Sequence, residues 1–118
     1  MIVSVLQENL LKALTRTSRI LTSKAQLPVL QSALLVGGQG ELRVTTTSLE
    51  TTESVAVGAK TDKEGAICVP ARLFTELVVT LPAETIRLAE KDGSLIVTCA
   101  GTTATIPGMS AAEFPPTP

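Results

Sequence analysis

The chain has 118 residues, enough for one domain with a single core and too few for two ordinary domains. Its formal charge is −1; it has no His, Trp or Tyr and only two Phe, so the commonest general base, the usual catalytic triads and most zinc sites are excluded. A content of 44% hydrophobic and 18% charged residues excludes a disordered chain.

Ile2-Val3-Ser4-Val5-Leu6 is β-branched and short, and predicts a strand. Residues 7–20 follow a helical period: Leu10, Leu11, Leu14, Thr17 and Ser18 share one arc, with Lys12, Arg16 and Arg19 opposite. Thr22 to Gln26 is a polar loop, and Leu27-Pro28 turns the chain into an extended run. Strands follow over Ser32–Val36, Glu41–Thr47 and Thr52–Ala59, the first two joined by a Gly37-Gly38-Gln39-Gly40 loop. Thr61 to Gly65 reads as a polar turn.

The pattern then starts over. Ala66–Val69 is a strand, and Pro70 opens a helix with Leu73, Phe74, Leu77 and Val78 as its apolar stripe and Arg72 opposite. Leu81-Pro82 ends it, and strands follow over Thr85–Glu90, Ser94–Cys99 and Thr102–Ile106, with Asp92-Gly93 as a hairpin signal. The order strand, helix, three strands thus occurs twice. Gly40-Glu41-Leu42-Arg43-Val44-Thr45 resembles Gly93-Ser94-Leu95-Ile96-Val97-Thr98, which points to an internal duplication. The expected fold is α+β: two helices side by side on one face of an antiparallel sheet layer of eight strands, with outer strands open to a neighbour's sheet.

The net charge hides an asymmetry. Residues 1–30 carry Lys12, Arg16, Arg19 and Lys24 against Glu8 alone, a net +3, and the remainder is net −4. A Lys/Arg surface of this kind can hold a phosphate backbone without sequence preference. Stacking of single-stranded bases is disfavoured by the lack of aromatics, and no helix-turn-helix or zinc-finger pattern occurs. The bland alternative is a solvated helix face. Catalysis has little to stand on: the glycine loop lacks the Lys-Ser/Thr ending of a phosphate loop, and no Ser has a His partner. Cys68 and Cys99, 31 residues apart, read as buried reduced thiols without a metal partner. No apolar run approaches the roughly 18 residues of a membrane span, and no basic-flanked apolar segment marks a signal peptide.

An ordered set of segments resembles the bacterial sliding clamps, the beta subunits of DNA polymerase III. These are Asn9-Leu10-Leu11-Lys12, Leu27-Pro28-Val29-Leu30, Thr47-Ser48-Leu49-Glu50, Val69-Pro70-Ala71-Arg72-Leu73-Phe74 and Ala111-Ala112-Glu113-Phe114-Pro115. They span essentially all 118 residues and correspond to the first of that family's three similar domains. The resemblance implies a non-catalytic processivity factor without a cofactor or metal, cytoplasmic and nucleoid-associated. Clamp monomers join head to tail as a dimeric ring of six domains that slides on duplex DNA and tethers the polymerase. It implies DNA contact by Lys12, Arg16, Arg19, Lys24 and Arg72, the last facing either the pore or the nearby subunit boundary, and a dimer interface at Leu73, Thr103, Ala104, Thr105 and Ile106. Polymerase and clamp loader would bind domains outside this sequence, and Pro115-Pro116-Thr117-Pro118 would begin an interdomain linker. Two departures stand out. Ser48 replaces the family's Asp, and Gly101–Ile106, one residue short, lacks the charges and the Phe common at the subunit boundary. A stand-alone interaction module working through exposed sheet edges is the alternative.

Overall fold

The computed structural model describes residues 1–21, 28–48 and 50–115. The expected Thr22–Gln26 loop, Lys24 and the linker from Pro116 onward lie outside the described residues. Among the described residues there are nine strands and two α-helices. They run β1 (Ile2–Leu6), α1 (Gln7–Ser18), β2 (Ser32–Gly38), β3 (Glu41–Thr47), β4 (Thr52–Gly58), β5 (Lys60–Lys63), β6 (Gly65–Pro70), α2 (Ala71–Thr80), β7 (Thr85–Lys91), β8 (Ser94–Cys99) and β9 (Thr102–Pro107).

Three of the hairpins close on tight turns. Gln39-Gly40, Asp92-Gly93 and Ala100-Gly101 each place two successive residues at positive φ, the geometry of a two-residue turn whose twist matches the flanking strands. Gly37 and Gly38, expected in the first loop, instead extend β2 and pair with Leu42 and Glu41.

The strands form two antiparallel sheets rather than one layer, in the orders β5-β1-β7-β8-β9 and β4-β3-β2-β6. The duplication is visible in them as an exchange. Each half of the chain supplies a three-stranded meander and lends its first strand to the other half: β1 pairs with β7, and β6 with β2. After each meander the chain borders its own first strand again. β5 lies against β1, and Met109 exchanges backbone hydrogen bonds of 2.8 and 3.0 Å with Cys68 of β6. Gly108 permits that return, since a Cβ there would stand 2.9 Å from the Cys68 carbonyl oxygen.

β5 corrects the expected polar turn at Thr61–Gly65. Its sequence, Lys-Thr-Asp-Lys, is a short charged edge with no inward apolar residue to announce it. Pro70 is corrected too: it closes β6 with extended ψ, and the helix begins at Ala71.

The helices lie side by side and antiparallel. Gln7, at the start of α1, donates from Nε2 to the Val78 carbonyl near the end of α2 at 2.8 Å, and both groups are buried. At the other end, Ser18 and Leu21 share a cleft with Arg72 and Thr75 at the start of α2. α1 packs on β3 and β4, and Thr46 Oγ1 of β3 donates to the Thr17 carbonyl, fixing that end of the helix. Its buried face comprises Gln7, Leu10, Ala13, Leu14 and Thr17. Compared with the expected arc, it is turned toward β4 and leaves Leu11 and Ser18 half-buried. On α2, Ala71, Phe74 and Val78 are buried and Leu77 half-buried. Leu73, expected in the stripe, is 47% exposed. One hydrophobic core joins these residues to Val3, Leu35, Leu42, Ile86, Leu88 and Leu95 from both sheets.

Candidate nucleic-acid interface

Lys12, Arg16 and Arg19 all stand exposed on the outward face of α1. Their spacing of four and three residues returns each side chain to nearly the same direction, which the burial of Ala13, Leu14 and Thr17 fixes as away from the core. Lys12 and Arg16 rim a shallow groove of about 240 Å³ between α1 and β4, floored by Ala13, Val55, Val57 and Gly58. Arg19 donates from Nε to the Arg16 carbonyl at 3.3 Å, which places its side chain over the last turn of the helix. Cations in that turn also suit the negative end of the helix dipole.

Two of the cations meet carboxylates. Arg16 Nε lies 3.9 Å from Glu53 Oε2 on β4, and Arg72 Nε lies 3.2 Å from Glu76 Oε1 one turn further along α2. Lys12 has no ion-pair partner among the described residues. Arg72 is separated from the α1 stripe by a cleft of about 480 Å³ whose walls include Ser18, Leu21, Thr75 and Val79. The expected gathering of Arg72 with the other three thus holds at the level of the helical layer, with the cleft between. The Arg72–Glu76 pair is legible in the sequence as an i, i+4 spacing. The Arg16–Glu53 pair is not, because it depends on β4 lying beside α1.

The expected dimer-interface residues divide. β9 is the edge of its sheet, with Thr103 and Thr105 exposed and Ala104 half-buried. Ile106 is 3% exposed: its side chain belongs to this domain's own core, and only its backbone is at the edge. Leu73 is exposed on α2, and the Arg72 cleft does not include it. β4 is the corresponding edge of the second sheet.

Both thiols are free and buried. Burial, with a smaller contribution from Glu113, pushes Cys68 up from 9.0 to about 11, and burial followed by Glu84 raises Cys99. A thiol whose folded pKa exceeds its unfolded value leaves stability intact below pH 9 and removes it as pH rises toward 11. Urea unfolding between pH 8 and 11 should therefore show falling stability, and Cys68→Ala should flatten that fall. An unchanged slope in the variant would assign the loss elsewhere. Among the described residues, no group of three or more acidic or thiol side chains could hold a metal ion.

Residues 1–118 match the family profile of the DNA polymerase III beta subunit, N-terminal domain. The chain belongs to this family. It is 29% identical over 115 residues to the beta sliding clamp of Synechococcus elongatus, covering 95% of this chain and 31% of that one. Against the beta sliding clamp of Streptomyces coelicolor it is 25% identical over 116 residues, with 98% and 31% covered. Among solved structures, the Pseudomonas aeruginosa DNA polymerase III subunit beta superposes with TM-score 0.94 at 28% identity, and Caulobacter crescentus pol III beta with 0.95 at 25%. Each match covers all of this chain and 32% of the other. The Bacillus subtilis clamp, at 18% identity and TM-score 0.96, shares the fold. The chain spans about a third of the length of these clamps. The clamp fold, with its two helices and two antiparallel sheets, is therefore the fold of this chain. No described helix is long and apolar enough to cross a membrane.

Proposed function

We propose that this chain acts as the first of three similar domains of a sliding clamp, a non-catalytic processivity factor of the cytoplasm. In that assembly two chains join head to tail as a ring of six domains around duplex DNA and tether the replicative polymerase. The observation that carries the reading is the stripe Lys12, Arg16 and Arg19, exposed on one helix face of a family member whose net charge is −1. A polyanion is attracted to that face and repelled by the acidic remainder. Arg72, across the cleft on α2, and Lys24 are the further cations assigned to the contact. No aromatic side chain lies among these residues to stack a base, so the contact is with the phosphate backbone.

Ring closure falls to the β9 edge. Alternate residues of the stretch Thr103, Ala104, Thr105 and Ile106 offer unpaired backbone groups at this edge, and Leu73 adds apolar surface. With no charge on β9, that contact depends on strand pairing and apolar burial rather than on ion pairs. Polymerase and loader engage other domains.

Fluorescence anisotropy with two duplexes of equal length and unrelated sequence tests the DNA reading. Binding should be weak and equal for both, with log affinity falling against log salt at a slope between about −2.7 and −4.5, the values for three and for all five of these contacts. Sequence preference, or affinity indifferent to salt, would overturn it.

A further inference from the structure

We propose that Glu53 and Glu76 are brakes on the DNA grip: each carboxylate occupies an arginine that faces the phosphates and keeps the interface deliberately weak. The inference rests on the phosphate-contacting role of Arg16 and Arg72.

Of the four described cations assigned to the DNA contact, Lys12, Arg16, Arg19 and Arg72, two sit within 4 Å of a carboxylate: Arg16 at 3.9 Å and Arg72 at 3.2 Å. Both arginine side chains are largely exposed, at 66% and 89%, so they can turn to a phosphate without movement of the backbone. The backbone sets the position of each carboxylate. Glu53 pairs with Thr46 in the β3–β4 register, at the point where Thr46 Oγ1 is bonded to the last turn of α1. It is therefore fixed beside Arg16 by the fold and half-buried. Glu76 is fixed beside Arg72 by the helical repeat.

A phosphate approaching either arginine meets a carboxylate already there. At the ionic strength of a cell, charges are screened over about 8 Å, so a carboxylate 3–4 Å from the arginine acts within that range on a phosphate bound there, whereas more distant acids are largely screened. The arginine must then exchange one anion for another, and fewer counterions leave the DNA for each contact formed. Contacts made by exchange break as readily as they form, which suits a ring that must slide.

Glu41→Gln supplies the matched control. Glu41 also pairs with an arginine, Arg43 at 3.2 Å. Arg43 lies on the face of its sheet away from α1, since the alternate residues Leu42, Val44 and Thr46 face the core and the helix. The substitution changes net charge equally and leaves the helical surface untouched.

Duplex affinity of Glu53→Gln, Glu76→Gln, their double variant and Glu41→Gln, each measured across salt, decides the matter. The double variant should bind about 5- to 20-fold more tightly at low salt, with a slope steeper by about 1 to 2, and Glu41→Gln should stay within about twofold of the parent. An unchanged double variant, a double variant that gains no more than Glu41→Gln, or one that binds more weakly would overturn the inference while the parent's salt-dependent binding stands. A parent chain without salt-dependent binding would overturn the DNA reading itself. Melting curves within about 2 °C of the parent, expected for exposed pairs of this kind, keep folding out of the comparison.

Discussion

Phe74→Ala should destabilise the domain by about 3–5 kcal/mol, read as a shift of the urea midpoint at constant m-value. Phe74 is fully buried, one of only two Phe in the chain, and the largest of the fully buried side chains. It projects from α2 with Ala71 and Val78 into a core that both sheets share. Removing the ring leaves a cavity that no single neighbouring element can collapse to fill. Typical domains retain only about 5–15 kcal/mol, so this one residue accounts for a large part of the margin. The adjacent Leu73→Ala is the internal comparison. Leu73 is half out of the surface, and its loss should cost under about 1 kcal/mol. Equal costs at the two positions would mean that α2 is docked by a different face.

Replacing Lys12, Arg16 and Arg19 together by Ala should remove most of the duplex affinity of the chain. These three side chains contribute up to about 2.7 of the log–log salt slope, so raising salt from 50 to 200 mM should weaken the parent up to roughly 40-fold more than the triple variant, which keeps only Lys24 and Arg72 for the phosphates. The three side chains are exposed, and the pair that Arg16 makes with the half-buried Glu53 is long, at 3.9 Å. The fold should therefore tolerate the change, with stability altered by no more than about 1 kcal/mol. Retention of a steep slope would place the phosphate contacts elsewhere on the domain.

Local chemistry was the legible part of this sequence. Asp92-Gly93 announces its turn because two successive positive φ values suit those residue types, and the composition of Glu41–Thr47 and Ser94–Cys99 marks both as strands without reference to the rest of the chain. The charge stripe on α1 was legible for the same reason: helical spacing alone places Lys12, Arg16 and Arg19 together. What depended on distant partners was not legible. β5 is a strand only because β1 lies beside it. The burial of Ala13 in place of Ser18 follows from β4 packing under α1. Leu73 looks like part of the apolar stripe, yet α2 turns it outward because Ala71, Phe74 and Val78 are the residues that meet the core. Likewise Ile106 reads as an interface residue on an edge strand, but the pleat directs it inward opposite Leu95. The carboxylate beside Arg16 is brought there by a strand that begins after two intervening hairpin strands.

The exchange of first strands has a kinetic consequence. Val3, near the start of the chain, pairs with Leu88, near its end, so the sheet that contains β1 cannot be completed until β7 exists. During synthesis β1 emerges long before its partner on that side and must wait without a lattice to join. The chain-closing entropy of that pairing precedes any reward from burial, which places folding in the slow, millisecond-to-second class of proteins rich in long-range contacts. Neither half can serve as a folding unit on its own, since each would lack the strand that the other lends. A chain cut between β5 and β6 would yield two fragments that acquire order only by finding each other.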